Sequence, residues 1–240
     1  MNHLILVRHG QSVWNLEKRF TGWVDVELSD KGKLEANKSG ELIKKLNIKI
    51  NSFFASYQKR AIDTLDLILN ILCVKPNYIT EAWELNERHY GQLTGLNKDE
   101  MKKVYGEKKI HIFRRSWDMS PPPLDKKNPY HPLNIEIYKN IPKDKIPDTE
   151  SLKNTYERVI LYYLKNIEPL IQNEKNILIS AHGNSIRALC KKLFNISDTN
   201  ISKLEIPTGN PLFIKFNENL KIDDGYYLDS SRSRDLLVKF

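Results

Sequence analysis

The 240-residue chain predicts an α/β fold of three layers: a mainly parallel sheet, helices on both faces, and an irregular capping segment. Three observations predict it. Two short apolar runs, "LILV" at 4–7 and "NILISA" at 176–181, have the unbroken character of strands buried on both faces. Segments with helical spacing alternate with such runs, as crossover connections require. Both runs also end in a histidine followed by glycine, Arg8-His9-Gly10 and His182-Gly183-Asn184. In open α/β sheets, ligands bind beyond the carboxyl ends of the strands.

The elements follow in order. After strand 4–7 and a polar loop, Ser29 is placed to cap a helix running to about residue 46, with Leu34, Leu42 and Leu46 as a thin apolar pattern. "SFFAS" at 52–56 is a short strand. "KRAIDTLDLILNIL" follows, with Ile62, Leu65, Leu69 and Leu72 at helical spacing. "NYITEAW" at 77–83 is another strand candidate. From 92 to 148 the texture changes: one short helix, "NKDEMKKVYG", leads into a stretch whose prolines 121 to 123, 129, 132, 142 and 147 forbid long regular elements. So long an irregular stretch inside a compact domain is usually functional. Trp117 and Tyr130 need somewhere to pack, so it is expected to be a cap within a single domain, 1–240. Leu152, Tyr156, Val159, Tyr163 and Ile167 then mark one helical face. A helix over 184–194 carries Ile186, Leu189 and Leu193, and "PLFIKF" at 211–216 is a late strand.

Composition narrows the function. No apolar run approaches the ~18 residues of a membrane span, and "LILV" is too short for a signal peptide. Cys73 and Cys190 lack any framework spacing and are expected to be buried, reduced thiols in a cytoplasmic protein. No His/Cys ligand spacing points to a metal. The net charge of +8 is compatible with nucleic acid, an anionic membrane or small anions as partners, but its lysines are scattered among acids rather than gathered in a stripe, which reads as a solvated surface and argues against nucleic acid.

The two histidine turns supply the chemistry. Each glycine lets backbone approach a ligand closely, and the helix starting at the second turn favours an anion. Further cationic groups stand in loops or at helix starts: Arg60 after "FFAS", Arg88 beside Glu87 in "NERHYG", and Arg114 and Arg115 in the irregular segment. The guanidinium fork suits phosphate. A neutral imidazole is a competent nucleophile near pH 7. Attack of His9 on phosphorus would place charge on the phosphoryl oxygens, with Arg8, Arg60 and a protonated His182 stabilising it. Glu87, the carboxylate within this cationic set, is the candidate acid/base.

"LVRHGQSVWNLEKRFTGWVDVELSDKG", with "KRAIDT", "LNERHYGQLTGLNK", "RRSW", "PPP", "TESL", "AHGNSIRAL" and "IPTGNPL", resembles the 2,3-bisphosphoglycerate-dependent phosphoglycerate mutases of the histidine phosphatase superfamily. The likeness runs from residue 3 to about 216. It implies His9 as the phosphorylated histidine, Glu87 as proton donor and acceptor, and His182 as stabiliser of the transferring group. It implies Arg8, Asn15 and Arg60 as phosphate ligands. Thr21, Gly22, Tyr90, Lys98, Arg114, Arg115, Gly183 and Asn184 are implied as substrate ligands. It further implies interconversion of 3- and 2-phosphoglycerate, 2,3-bisphosphoglycerate as primer and intermediate, no metal, and a homodimer. Gln11 stands where many members have glutamate, and the tail "SSRSRDLLVKF" matches no expected ending. A phosphatase of the same superfamily is the nearest rival; "NERHYG" and the arginine-bearing cap favour the mutase, whose phosphohistidine must be kept from water. A non-catalytic protein on the same fold is a further reading, disfavoured by the intact His9, Glu87 and His182.

Overall fold

The computed structural model describes residues 2–173 and 175–238; Met1, Glu174, Lys239 and Phe240 lie outside the described residues. In chain order the elements are β1 (Asn2–Arg8), α1 (Val13–Leu16), α2 (Asp30–Lys44), β2 (Ser52–Ala55), α3 (Lys59–Leu72), β3 (Thr80–Glu81), α4 (Lys98–Tyr105) and α5 (Glu107–Arg115). There follow α6 (Leu152–Tyr162), continued by a π-helical turn at Tyr163–Ile167, α7 (Glu168–Gln172), β4 (Ile177–Ala181), α8 (Gly183–Leu193), β5 (Leu212–Phe216) and β6 (Ile222–Tyr227). The sheet order is β3-β2-β4-β1-β5-β6. The β1–β4, β2–β4 and β2–β3 pairings are parallel, whereas β5 and β6 close one side antiparallel.

Pleating sends alternate residues to opposite faces, and this divides the core in two. Leu4 and Leu6 of β1, with Ile177 and Ile179 of β4, join the residues of α6 and α8. Ile5, Val7 and Leu178 join Ile43 of α2 and Leu65, Ile68 and Leu69 of α3. The apolar runs are unbroken because both faces are covered.

Several expectations change. The strand expected at 77–83 is reduced to two residues, followed by a 3₁₀ turn at Trp83–Leu85. Helix α2, capped by Ser29 as expected, does not pack through Leu34, which is 69% exposed. Its inner face is Gly32, Ala36, Ser39, Gly40 and Ile43. Small residues let it lie so close to α3 that a Cβ on Gly40 would stand 2.8 Å from Ile71 Cβ. The segment 92–148 holds two helices, α4 and α5, where one was expected, so Arg114 and Arg115 end a helix rather than lie in irregular chain. Beyond them only 3₁₀ turns occur, at Pro132–Asn134, Glu136–Tyr138 and Lys143–Lys145. Cys190 is buried, which pushes its thiol up to about 12, but Cys73 is exposed at the left-handed end of α3. Among the described residues, no helix is long and apolar enough to cross a membrane.

The proline-rich stretch is fastened at identifiable points. Gln92 N–H and the Thr149 hydroxyl donate to the carbonyls of Pro122 and Pro121, at 2.8 Å each. Gly91 is required here: its φ is +54°, and a Cβ would lie 2.1 Å from Pro122 O. Tyr138 is wholly buried against Trp23 and donates to its carbonyl. Trp117 packs edge-on to Tyr156, and Tyr130 edge-on to Trp14.

Candidate active site

The parallel register pairs Arg8 with Ala181, and His9 N–H continues the ladder to Ala181 O at 3.0 Å. The next residues, His9 and His182, therefore leave the sheet side by side, with ring centroids 4.9 Å apart. Gly10 serves this placement differently from what was expected. Its missing side chain faces the backbone of α2, not a ligand: a Cβ there would be 2.1 Å from Gly32 O. Gly10 N–H also donates to Thr64 Oγ1 at 3.1 Å.

His9 Nδ1 lies 2.6 Å from Gly10 O. A carbonyl only accepts, so Nδ1 carries the proton and Nε2 keeps its lone pair. Arg60 Nε–H points at that lone pair from 3.3 Å. Burial, then Arg60 and Arg8, hold the His9 pKa well below its ordinary 6.5, so the ring is neutral. Arg60 is itself buried and held by Val24 O (2.9 Å) and Gly22 O (3.0 Å). Gln58 also donates to Gly22 O and accepts from Glu87 N–H, joining the "FTG" loop to the carboxylate's backbone.

His182 corrects the sequence reading. Burial, with Arg60, His9 and Arg8 around it, holds its pKa well below 6.5, so in the free site it is neutral rather than protonated. Its Nε2 meets Ser56 Oγ at 2.6 Å. Glu87 Oε1 accepts from three donors: Arg88 N–H (2.7 Å), Asn184 N–H (3.2 Å) and Asn184 Nδ2 (2.8 Å). The same Nδ2 reaches Tyr90 Oη at 3.0 Å.

One pocket gathers Arg8, His9, Asn15, Thr21, Gly22, Arg60, Glu87, Tyr90, Lys98, Arg114, Arg115, Gly183 and Asn184. Of the fourteen sequence-predicted site residues only His182 is not on the wall; it lies buried behind His9. Asn15 and Ser12 brace each other in a capping box that starts α1. Gly183 leaves its Cβ position 3.5 Å from the Arg8 guanidinium. Arg8 is tied to Ile206 O at 2.7 Å, while its Nε, Thr21 Oγ1 and Arg115 Nη1 are buried without a partner. Unsatisfied donors among six cationic side chains and two carboxylates suit a multiply charged anion. Burial lowers the pKa of Lys98, against the pull of Tyr90. No group of three or more His, Cys, Asp or Glu side chains placed to hold a metal ion occurs among the described residues.

Two wall residues were missed. Arg187 lies three residues after Asn184 on α8, a spacing that shares one helix face and was readable in "GNSIRAL". Glu205 pairs with Arg115 at 2.6 Å across 90 residues, and no local signal points to it. Ser56 and Gln58 were also passed over, although the strand-end rule that found the histidines applies to β2.

A sequence model of the histidine phosphatase superfamily (branch 1) matches residues 4–131. The 2,3-bisphosphoglycerate-dependent phosphoglycerate mutase of Pelagibacter ubique is 63% identical over 238 residues, covering 99% of this chain and all of that one. The enzyme of the same description from Maricaulis maris is 44% identical, covering 98% of each chain. Among solved structures, a mycobacterial glucosyl-3-phosphoglycerate phosphatase superposes with a TM-score of 0.68 over 92% of this chain and 96% of its own, at 20% identity. A putative α-ribazole-5′-phosphate phosphatase from Escherichia coli does so with a TM-score of 0.69 over 92% and 94%, at 17% identity. Those two likenesses concern the fold.

Proposed function

The chain belongs to the 2,3-bisphosphoglycerate-dependent phosphoglycerate mutases of the histidine phosphatase superfamily, and from that premise we propose how its own residues interconvert 3-phosphoglycerate and 2-phosphoglycerate in glycolysis and gluconeogenesis. The observation that carries the proposal is the His9 ring: neutral, its proton fixed on Nδ1, its Nε2 lone pair met only by the long 3.3 Å contact from Arg60 Nε–H on the pocket wall. When bound, 2,3-bisphosphoglycerate supplies the phosphoryl group that charges the enzyme. The partnerless donors of Arg8, Thr21 and Arg115 fit such an anion.

His9 Nε2 attacks phosphorus in line; the N–P bond forms as the P–O bond breaks. Arg8, Arg60, Asn15 and the N–H end of α8 stabilise the equatorial oxygens, and His182 adds a neutral donor. Glu87 takes the proton from the monophosphate hydroxyl that attacks the phosphohistidine, and returns it to the oxygen that departs when His9 attacks the other phosphoryl group of the resulting bisphosphate. Lys98, Arg114 and Arg115 hold the far end of the substrate, and Tyr90, Gly22 and Gly183 shape the walls. We take 1–240 as one domain and 92–148 as its cap, which keeps water from the phosphohistidine. Deleting 120–145 should raise phosphatase over mutase activity. The deletion also removes the buried Tyr138, so point changes at Arg114 and Arg115 are the cleaner probe. A homodimer in the cytoplasm completes the proposal; sedimentation equilibrium reads the subunit count.

Conversion of 3-phosphoglycerate, assayed with and without trace 2,3-bisphosphoglycerate, tests the mechanism. Wild type should depend on the bisphosphate, and His9→Ala should lose at least about 10⁴-fold in turnover. Activity surviving in His9→Ala, or indifference to the bisphosphate, overturns it.

A further inference from the structure

Arg187 is 6% exposed on the wall of the pocket, one turn into α8. Its hydrogen bonds run to neutral oxygens: Nε–H to Leu204 O at 2.9 Å, and Nη1–H to Asn184 Oδ1 at 2.6 Å. A guanidinium buried to this degree is expensive to hold unless its charge is used.

The use follows from the chemistry of the amide. Asn184 has one end that accepts and one that donates. If the accepting end faced Glu87, an oxygen dipole would oppose a carboxylate. Arginine has donors and no acceptor, so the end of Asn184 that faces Arg187 must be Oδ1. The Nδ2 end is then forced toward Glu87 Oε1 (2.8 Å) and Tyr90 Oη (3.0 Å). Leu204 O in turn accepts from Nε–H and fixes the guanidinium plane, so donation runs outward from Arg187, to Leu204 O on one side and through Asn184 to Glu87 on the other. Donation from a cation to Oδ1 also polarises the amide and strengthens the bond its NH₂ makes to Glu87.

We infer that Arg187 is a positioning residue for Glu87: through Asn184, whose amide it can hold in only one orientation, it fixes the carboxylate oxygen that the proposed proton transfer depends on. The inference rests on the assignment of Glu87 made above. Arg187 itself is not assigned contact with the reacting phosphoryl group.

A double-mutant cycle tests this, with Arg187→Met, Asn184→Ala and the double variant assayed for 3-phosphoglycerate conversion. Arg187→Met should lower kcat about 30-fold and move KM by less than about threefold, the size expected for a buried hydrogen bond to a charged group. The double variant should be no worse than the weaker single one, because both remove the same contact. Arg187→Lys, which keeps a donor for Oδ1, should recover kcat to within about tenfold of wild type. Near-UV circular dichroism checks folding; if Arg187→Met does not fold, the cycle is run with Arg187→Lys. Additive losses, or a rise in KM at unchanged kcat, overturn the proposal; the second outcome would make Arg187 a plain substrate ligand. Glu87→Gln is assayed in parallel. Near-wild-type turnover there overturns the role of Glu87 and this inference with it, whereas an inactive Glu87→Gln beside additive losses in the cycle overturns the role of Arg187 alone.

Discussion

The strand-end floor of the pocket and its helical roof differ in how each side chain is held. On the floor, His9 is 3% exposed with both ring nitrogens engaged, and Arg60 is locked by two carbonyls and the imidazole. On the roof, Lys98 stands over the Phe20 ring at 5.7 Å, and Arg115 is held by a single half-exposed carboxylate, Glu205. Groups fixed before substrate arrives cost nothing to reorganise when charge develops, which suits the floor to chemistry. Groups that exchange one partner for another suit binding and release. Breaking each in turn shows whether that division of labour is real.

Acid should break the floor most. His9 and His182 of the floor, and His89, which lies outside the pocket with its Nδ1 accepting from Gly91 N–H, are buried and neutral, chiefly because burial disfavours the cation; His89 is brought down to about 3. The unfolded chain binds protons at these groups below pH 6.5 and the folded one does not, so stability is kept above 6.5 and lost as pH falls, for His89 as far as about 3. Each contributes about 1.4 kcal/mol per pH unit in that window, so stability should fall by about 4 kcal/mol from pH 7 to 5.5. Urea midpoints at the two values check this; equal midpoints would show that the folded rings take up protons as those of the unfolded chain do. Next in size, Gly10→Ala drives a methyl into Gly32 O and should cost about 3 kcal/mol. Turnover should drop about 100-fold as His9 shifts. Thermal melts with the mutase assay separate the two losses, and normal turnover would mean His9 tolerates displacement.

The roof should respond differently. Arg115→Ala should raise KM about 30-fold with kcat within about threefold and an unchanged melting temperature. A fall in kcat instead would bring the roof into the chemistry and erase the contrast. The smallest effect is expected at Glu205→Gln. Removing a half-exposed competitor for Arg115 should lower KM about threefold; a raised KM would make Glu205 a brace for Arg115 rather than its stand-in anion.

The floor was the more legible part because it is written locally. A strand buried on both faces announces itself in four residues, and the turn that ends it carries the functional groups with it; hence β1, β4 and their histidines were readable. Helix α2 hid its inner face because small residues carry no hydropathy signal, although they are what allow close packing on α3. β6 was hidden for a related reason: "IDDGYY" contains residues rarely found in strands and buries only Gly225 and Tyr227 at an edge. Cys73 was misplaced because a helix-like pattern does not say where the helix ends. Glu205 meets Arg115 only through the fold, so nothing near either residue foretold it. The neutral state of His182 depends on enclosure by Arg60, His9 and Arg8, which spacing cannot convey.

The 4.9 Å between the two histidine rings nearly equals the ~4.8 Å between neighbouring strands of any sheet. The two rings thus stand at about the interval of neighbouring strands, as expected of residues that directly follow the paired Arg8 and Ala181. A one-residue slip of β4 against β1 would not widen the gap; it would turn His182 to the opposite face and remove it altogether. The sheet works as a ruler with a single graduation.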